Sequence, residues 1–119
     1  MVDIIEDLFV YNADGEKIPV YIEGDAPETL PDEYFTVSED ATSDNLNADN
    51  KTKELLWEFT LKWYTKDSAN IFNGLLEAIK LLKKKNYIIS GVGYHNPTYQ
   101  GTWYSRAVDV SKIENITEE

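Results

Sequence analysis

The alternation of apolar and polar positions is clearest in residues 55–64. Leu55, Trp57, Phe59, Leu61 and Trp63 alternate there with Leu56, Glu58, Thr60, Lys62 and Tyr64. A strand turns successive side chains to opposite faces, so the odd positions predict one apolar face. Asp67 and Ser68 follow as an N-cap signal, because a short side-chain oxygen can accept from an orphan N–H of the next turn. Ile71, Leu75, Ile79 and Leu82 then recur at helical spacing, and Phe72, Leu76 and Ala78 widen the stripe. The spacing predicts an amphipathic helix of about four to five turns. Lys83, Lys84 and Lys85 close it where cations complement the macrodipole, and Asn86 suits a left-handed cap. Tyr87, Ile88 and Ile89 predict a return to the sheet. This strand–helix–strand unit, residues 55–94, is a scaffold around which the rest of the chain is organised.

Upstream, Val2, Ile4, Ile5, Leu8 and Phe9 fall on one helical side and predict a short N-terminal helix. Residues 12–15, Asn-Ala-Asp-Gly, are a turn signal. In residues 16–23, Ile18, Val20 and Ile22 alternate with Lys17, Pro19 and Tyr21. Pro19 cannot donate to a ladder, so an edge strand is expected. Residues 24–31 read as a loop, and residues 33–39 as a strand on the β-propensity of Tyr34, Phe35, Thr36 and Val37. In residues 40–53 only Ala41, Leu46 and Ala48 are apolar, which predicts a long mobile loop between two antiparallel strands, ordering on assembly. Downstream, His95, Asn96 and Pro97 form a turn signal, residues 102–110 alternate again, and residues 114–119 look frayed. The predicted order is α-β-β-β-α-β-β. Strand runs broken by one long helix predict a single α+β domain over residues 1–119. Its sheet is expected to be mainly antiparallel, with the helix packed on one face.

Composition changes this picture in three ways. The 119 residues include no cysteine, which removes disulfides and thiol chemistry. No apolar run approaches the roughly 20 residues of a membrane span, and the start lacks the basic and apolar blocks of a signal peptide, so a soluble, unprocessed protein is expected. The net charge of −11 is uneven. Residues 1–50 hold fourteen acids against Lys17 alone, a balance of −13, and residues 51–119 hold eight acids against ten cations, a balance of +2. Such a first half repels nucleic-acid phosphates. It reads either as a solvated acidic face that aids solubility or as a surface that fends off a polyanion.

Candidate chemistry is sparse. His95 is the only histidine and lacks the partners of a metal site or triad, so it reads as a turn residue. Asp40, Asp44 and Asp49 match a calcium loop poorly, since Asn45 stands at the glycine position and Lys51 at the glutamate position. Gly91, Val92 and Gly93 lack the third glycine and following helix of a phosphate loop, and read as a strand or bulge. Arg106 is the only arginine, and its planar charge suits either an intersubunit salt bridge or a solvated strand position. Asp109, three residues on, belongs to the opposite strand face. No catalytic set emerges, so an enzyme is not expected, nor a metal or cofactor.

The run LLWEFTLKWYTKDSANIFNGLLEAIKLLKKKNYIISGVGY, followed by GTWYSRAVDVSKI, resembles the tail terminator and head–tail joining proteins of long-tailed, siphovirus-type bacteriophages. The shared features are a strand ending in a polar step, here Lys66, Asp67 and Ser68, then a helix, a strand start, and a last strand with a basic residue shortly before an acidic one, here Arg106 and Asp109. Asn86-Tyr87 stands where the family pattern has Gly-Tyr. The resemblance implies a virion structural protein forming a ring, usually a hexamer, at the head-proximal end of the tail. Such a ring completes the tail tube and touches the tail tube protein and the head connector or neck proteins. It lets DNA pass without sequence-specific binding or any membrane, and assembles in the host cytoplasm. A closed ring needs two different patches of one subunit to meet. The edge strand near Pro19 and the 40–53 segment, with Asp40, Asp44, Asp49 and Arg106, are the expected contacts. Glu16, Glu23, Asp32, Glu33 and Glu39 are the expected lumen-facing acids. The alternative is an acidic nucleic-acid mimic that inhibits a DNA-binding enzyme.

Overall fold

The computed structural model describes residues 3–12, 14–46, 52–90, 98–101 and 103–117. It is an α+β fold. A short helix α1 (Ile4–Asp7) precedes strands β1 (Val20–Ile22), β2 (Glu33–Leu46) and β3 (Thr52–Thr65). A single 3₁₀ turn (Ser68–Asn70) leads into helix α2 (Ile71–Lys84), and β4 (Ile88–Ser90), β5 (Thr98–Gln100) and β6 (Trp103–Thr117) follow. The sheet order is β1-β2-β3-β6-β4, with β5 paired on β6. All pairings are antiparallel except β1 with β2. As expected from Pro19, β1 lies at the sheet edge; the Pro19 carbonyl accepts from Phe35 N–H at 2.9 Å.

The apolar alternation of β3 forms the core as predicted. Phe59, Leu61 and Trp63 are buried and face Leu75, Ala78, Ile79 and Leu82 of α2, joined by Phe35 and Val37 of β2 and Val108 and Val110 of β6. Ile4, Leu8, Val10 and Ile18 close the same core. Phe72 and Leu76, which the helical stripe included, are exposed instead, because the inward arc of α2 runs through Leu75, Ala78 and Leu82. Asp67 caps the 3₁₀ turn, its carboxylate accepting from Ala69 N–H at 3.0 Å. Asn86 takes the left-handed conformation with φ 70° and ends the helix.

Three expectations need correction. The N-terminal helix has only four residues, and Phe9 lies outside it, exposed beneath the ammonium groups of Lys17 and Lys85. Residues 40–53 are not one long loop: β2 continues to Leu46 and pairs with β3 as far as Leu46↔Lys53. Likewise residues 114–117 are strand, with β6 paired to β3 out to Thr117↔Thr52. In both cases the backbone ladder to β3 holds a polar segment that has no apolar alternation to announce it. The expected turn at His95, the glycine pair at 91–93, Asp49 and the last two residues lie outside the described residues.

The consequence is an elongated molecule. Buried core positions end at Val37, Phe59 and Val110 on the three central strands. β2, β3 and β6 run on together for about seven residues, roughly 23 Å at about 3.3 Å per residue. The extents are 53 × 26 × 26 Å and the radius of gyration is 15.9 Å, against about 13.5 Å for a compact domain of this length. The fold is thus a helix-backed body with a three-stranded arm.

Candidate functional site

Where the arm leaves the body, β2 carries a bulge. Glu39 pairs with Phe59 and Ala41 with Glu58, so Asp40 is the extra residue. Its carboxylate accepts from the hydroxyls of Thr60 at 2.5 Å and Ser38 at 3.3 Å. A bulge bends a strand and sharpens its twist, so Asp40 sets the angle at which the arm leaves the body. The bulge opens onto a small cleft of about 230 Å³ lined by Asp40, Glu58, Ser90, Asp109 and Ser111. Asp44 lies further out on β2, opposite Leu55.

Arg106 takes a different place. It sits opposite Trp63 on β6, on the face that α2 covers, with its guanidinium 4.4 Å from the ring centroid of Phe72. A cation over an exposed aromatic face is attracted by the ring quadrupole. Asp109 is three residues away on the other face, as strand alternation requires. Arg106, opposite Trp63, and Asp40, at the bulge between the Glu39–Phe59 and Ala41–Glu58 pairs, thus occupy different parts of the sheet.

The five expected lumen acids are also divided. Glu16, Asp32 and Glu33 line one cleft of about 950 Å³ between the 10–19 segment, the end of β3 and the start of α2. Asp32 is exposed and lies 3.4 Å from the Lys66 ammonium. Glu33 is half-buried and serves the fold: its Oε2 accepts from the Thr65 hydroxyl at 2.9 Å and from the Asn70 amide. Glu23 belongs to the opposite side, paired with Lys62 at 3.2 Å on the outer sheet face. Glu39 is exposed on β2 beside the bulge.

Two arrangements were not legible in the sequence. The outer sheet face, away from α2, carries an aromatic cluster. Tyr34 stacks on Tyr64 at 4.7 Å and meets Trp103 and Tyr21 edge-on at 5.3 and 5.9 Å. The signal was Tyr64 at the polar end of the β3 alternation, but its partners come from three other strands. Burial, then the neighbouring Tyr64 and Tyr21, raises the Tyr34 phenol above its ordinary range.

The second is a clasp between the chain start and the end of α2. Tyr87, buried, donates its hydroxyl to Asp7 Oδ2 at 2.7 Å, and the Lys85 ammonium lies 3.7 Å from Asp7 Oδ1. Burial, the hydrogen bond to Asp7 and the charges of Asp7 and Asp3 all push the Tyr87 phenol up from 10.0. Above pH 10 the unfolded chain gives up this proton while the folded chain keeps it, so the unfolded state binds fewer protons and stability falls as pH rises. The contribution is whole below that pH. Urea midpoints measured between pH 7 and 11 are expected to fall less steeply above pH 10 for Tyr87→Phe than for the wild type; equal slopes would count against the clasp.

No protein-family model and no curated protein matches this chain. Among the described residues, no helix is long and apolar enough to cross a membrane. Among the same residues, no three His, Cys, Asp or Glu side chains gather as metal ligands. The feature that stands out from the helix-backed body is the arm with its bulge.

Proposed function

We propose that this chain is a ring-forming structural subunit of the tail terminator or head–tail joining kind. Such a ring completes a bacteriophage tail tube and docks it to the head connector while DNA passes through. The observation that carries the reading is the arm. A three-stranded ribbon that extends roughly 23 Å past its helix carries apolar side chains that its own body covers only in part. Leu55 and Trp57 sit on one face and Leu56 and Ile113 on the other, all only partly buried and Ile113 45 % exposed. Apolar side chains on both faces of a projecting ribbon suit contact with a neighbouring subunit, where their remaining area is removed from water. The fold class agrees with the resemblance, and the −11 charge suits a wall that DNA must slide past, since basic residues would release counterions and hold it.

The acidic balance favours a second reading, a nucleic-acid mimic that blocks a DNA-binding enzyme. The two differ in mass. Native mass spectrometry and sedimentation at rising concentration are expected to give a closed oligomer near six times the 13.7 kDa chain. A species that stays at one or two chains, and that competes with DNA for a nucleic-acid enzyme, would replace the ring with the mimic.

A further inference from the structure

We infer that the arm joins copies of this chain edge to edge, the outer edge of β6 in one subunit pairing with the outer edge of β2 in the next. The inference rests on the ring reading and adds the surface and the geometry by which the ring closes. It starts from backbone hydrogen bonding. On β2, β1 covers Phe35 to Val37, and the Glu23 N–H reaches Val37 O at 2.9 Å. Beyond that point no strand lies along the outer edge of β2 among the described residues. On β6, β5 covers residues 103–105 and β4 residues 109–111. From residue 112 to Thr117 no strand lies along its outer edge among the described residues. Among the described residues the arm is therefore a sheet with two long open edges, each of about six residues past the bulge and past Ser111. Such edges are templates for another strand, and soluble proteins usually cover or shorten them.

Direction decides how they pair. β2 is antiparallel to β3 and β3 to β6, so β2 and β6 run the same way. Rotation about a ring axis keeps that sense, so β6 of one copy meets β2 of the next as a parallel pair, and every copy uses both edges once. A twofold arrangement would instead pair an edge with itself, antiparallel, and stop at a dimer. Charge weighs against the β2–β2 version: past the bulge, β2 carries Asp44 and no cation as far as Leu46, so two such edges bring like charges together. The β6 segment from 112 to 117 balances Lys112 against Glu114, so it can lie beside the acidic edge. The bulge at Asp40 separates the stretch of β2 that β1 covers from the stretch offered to the neighbour.

The absence of cysteine makes the test direct. Thr42→Cys or Ser43→Cys is combined with Asn115→Cys or Ile116→Cys in the full chain, giving four double variants that sample the register, and each is oxidised mildly. Within one chain β2 and β6 are two strand spacings apart, about 9.6 Å, and a disulfide needs Cα atoms within about 7 Å, so only links between copies form. At least one double variant is expected to give a covalent ladder in steps of 13.7 kDa up to the ring, while the four single variants stay unlinked. Efficient dimers from a single variant would overturn the proposal in favour of twofold pairing. Rings by native mass with no link in any double variant would overturn the edge pairing and leave the ring standing. Monomers by native mass with no link would overturn both.

Discussion

Trp63→Ala is expected to remove about 3–5 kcal/mol of stability, the range for a large buried aromatic. Trp63 is fully buried between the sheet and α2. Its ring lies 4.7 Å from that of Phe35 on the neighbouring strand and directly under α2 at Gly74. Its Nε1–H donates to the Asn70 carbonyl at 3.0 Å, which ties β3 to the entry of the helix. Truncation therefore leaves a cavity and removes the side-chain tie between β3 and the helix start. A domain of this size holds only about 5–15 kcal/mol in all, so the variant should unfold at much lower urea. Trp57→Ala should cost clearly less. Trp57 is only partly buried, and its Nε1–H is a buried donor without an acceptor among the described residues. Equal urea midpoints for the two variants would mean that Trp63 is not the centre of the core.

The contrast between these tryptophans marks what the sequence made legible. Alternation put both on one face of β3, and both are there. How deeply each is buried depends on where α2 ends above the sheet, and a strand pattern carries no information on that. The same limit applies to α2, where the stripe correctly held Ile71, Leu75, Ile79 and Leu82 but also took in Phe72 and Leu76, which face outward. Local signals read well because their physics is local: the Asp67 cap, the left-handed Asn86, and Pro19 at the sheet edge.

The arm was illegible for a physical reason. Residues 40–46 carry almost no apolar side chains, and a reading of hydrophobic period treats such a segment as a loop. Past the helix the strand has no core to face, so selection for alternation is absent and the ladder to β3 alone defines it. The candidate site followed the same rule. Asp40 was singled out as part of a polar loop, but its role as the bulge residue depends on pairing with β3, twenty residues away at Thr60. Glu33, expected on a lumen wall, was claimed by Thr65 and Asn70, partners that only the folded turn after β3 brings near.

Gly74→Ala gives the sharpest test of how α2 is seated, because the local and the tertiary effects have opposite signs. In an exposed helix interior, replacing glycine by alanine gains about 1 kcal/mol. At Gly74 an added Cβ would stand 2.3 Å from both Cε2 and Cζ2 of Trp63 and 2.8 Å from its Nε1. The ring has no easy retreat, being fully buried, bonded to Asn70 and packed on Phe35. Either α2 lifts from the sheet or the indole leaves its rotamer, and overpacking of this kind costs about 1–3 kcal/mol. The clash outweighs the propensity gain, so Gly74→Ala should lower the urea midpoint. The proof of cause is the double variant. With Trp63→Leu in place the obstructing ring is gone, and adding Gly74→Ala should then stabilise the chain or leave it unchanged. The resulting coupling, a change of sign between the two backgrounds, is what direct contact predicts. A higher midpoint for Gly74→Ala in the wild-type background would mean that the helix rides further from β3 than this packing requires.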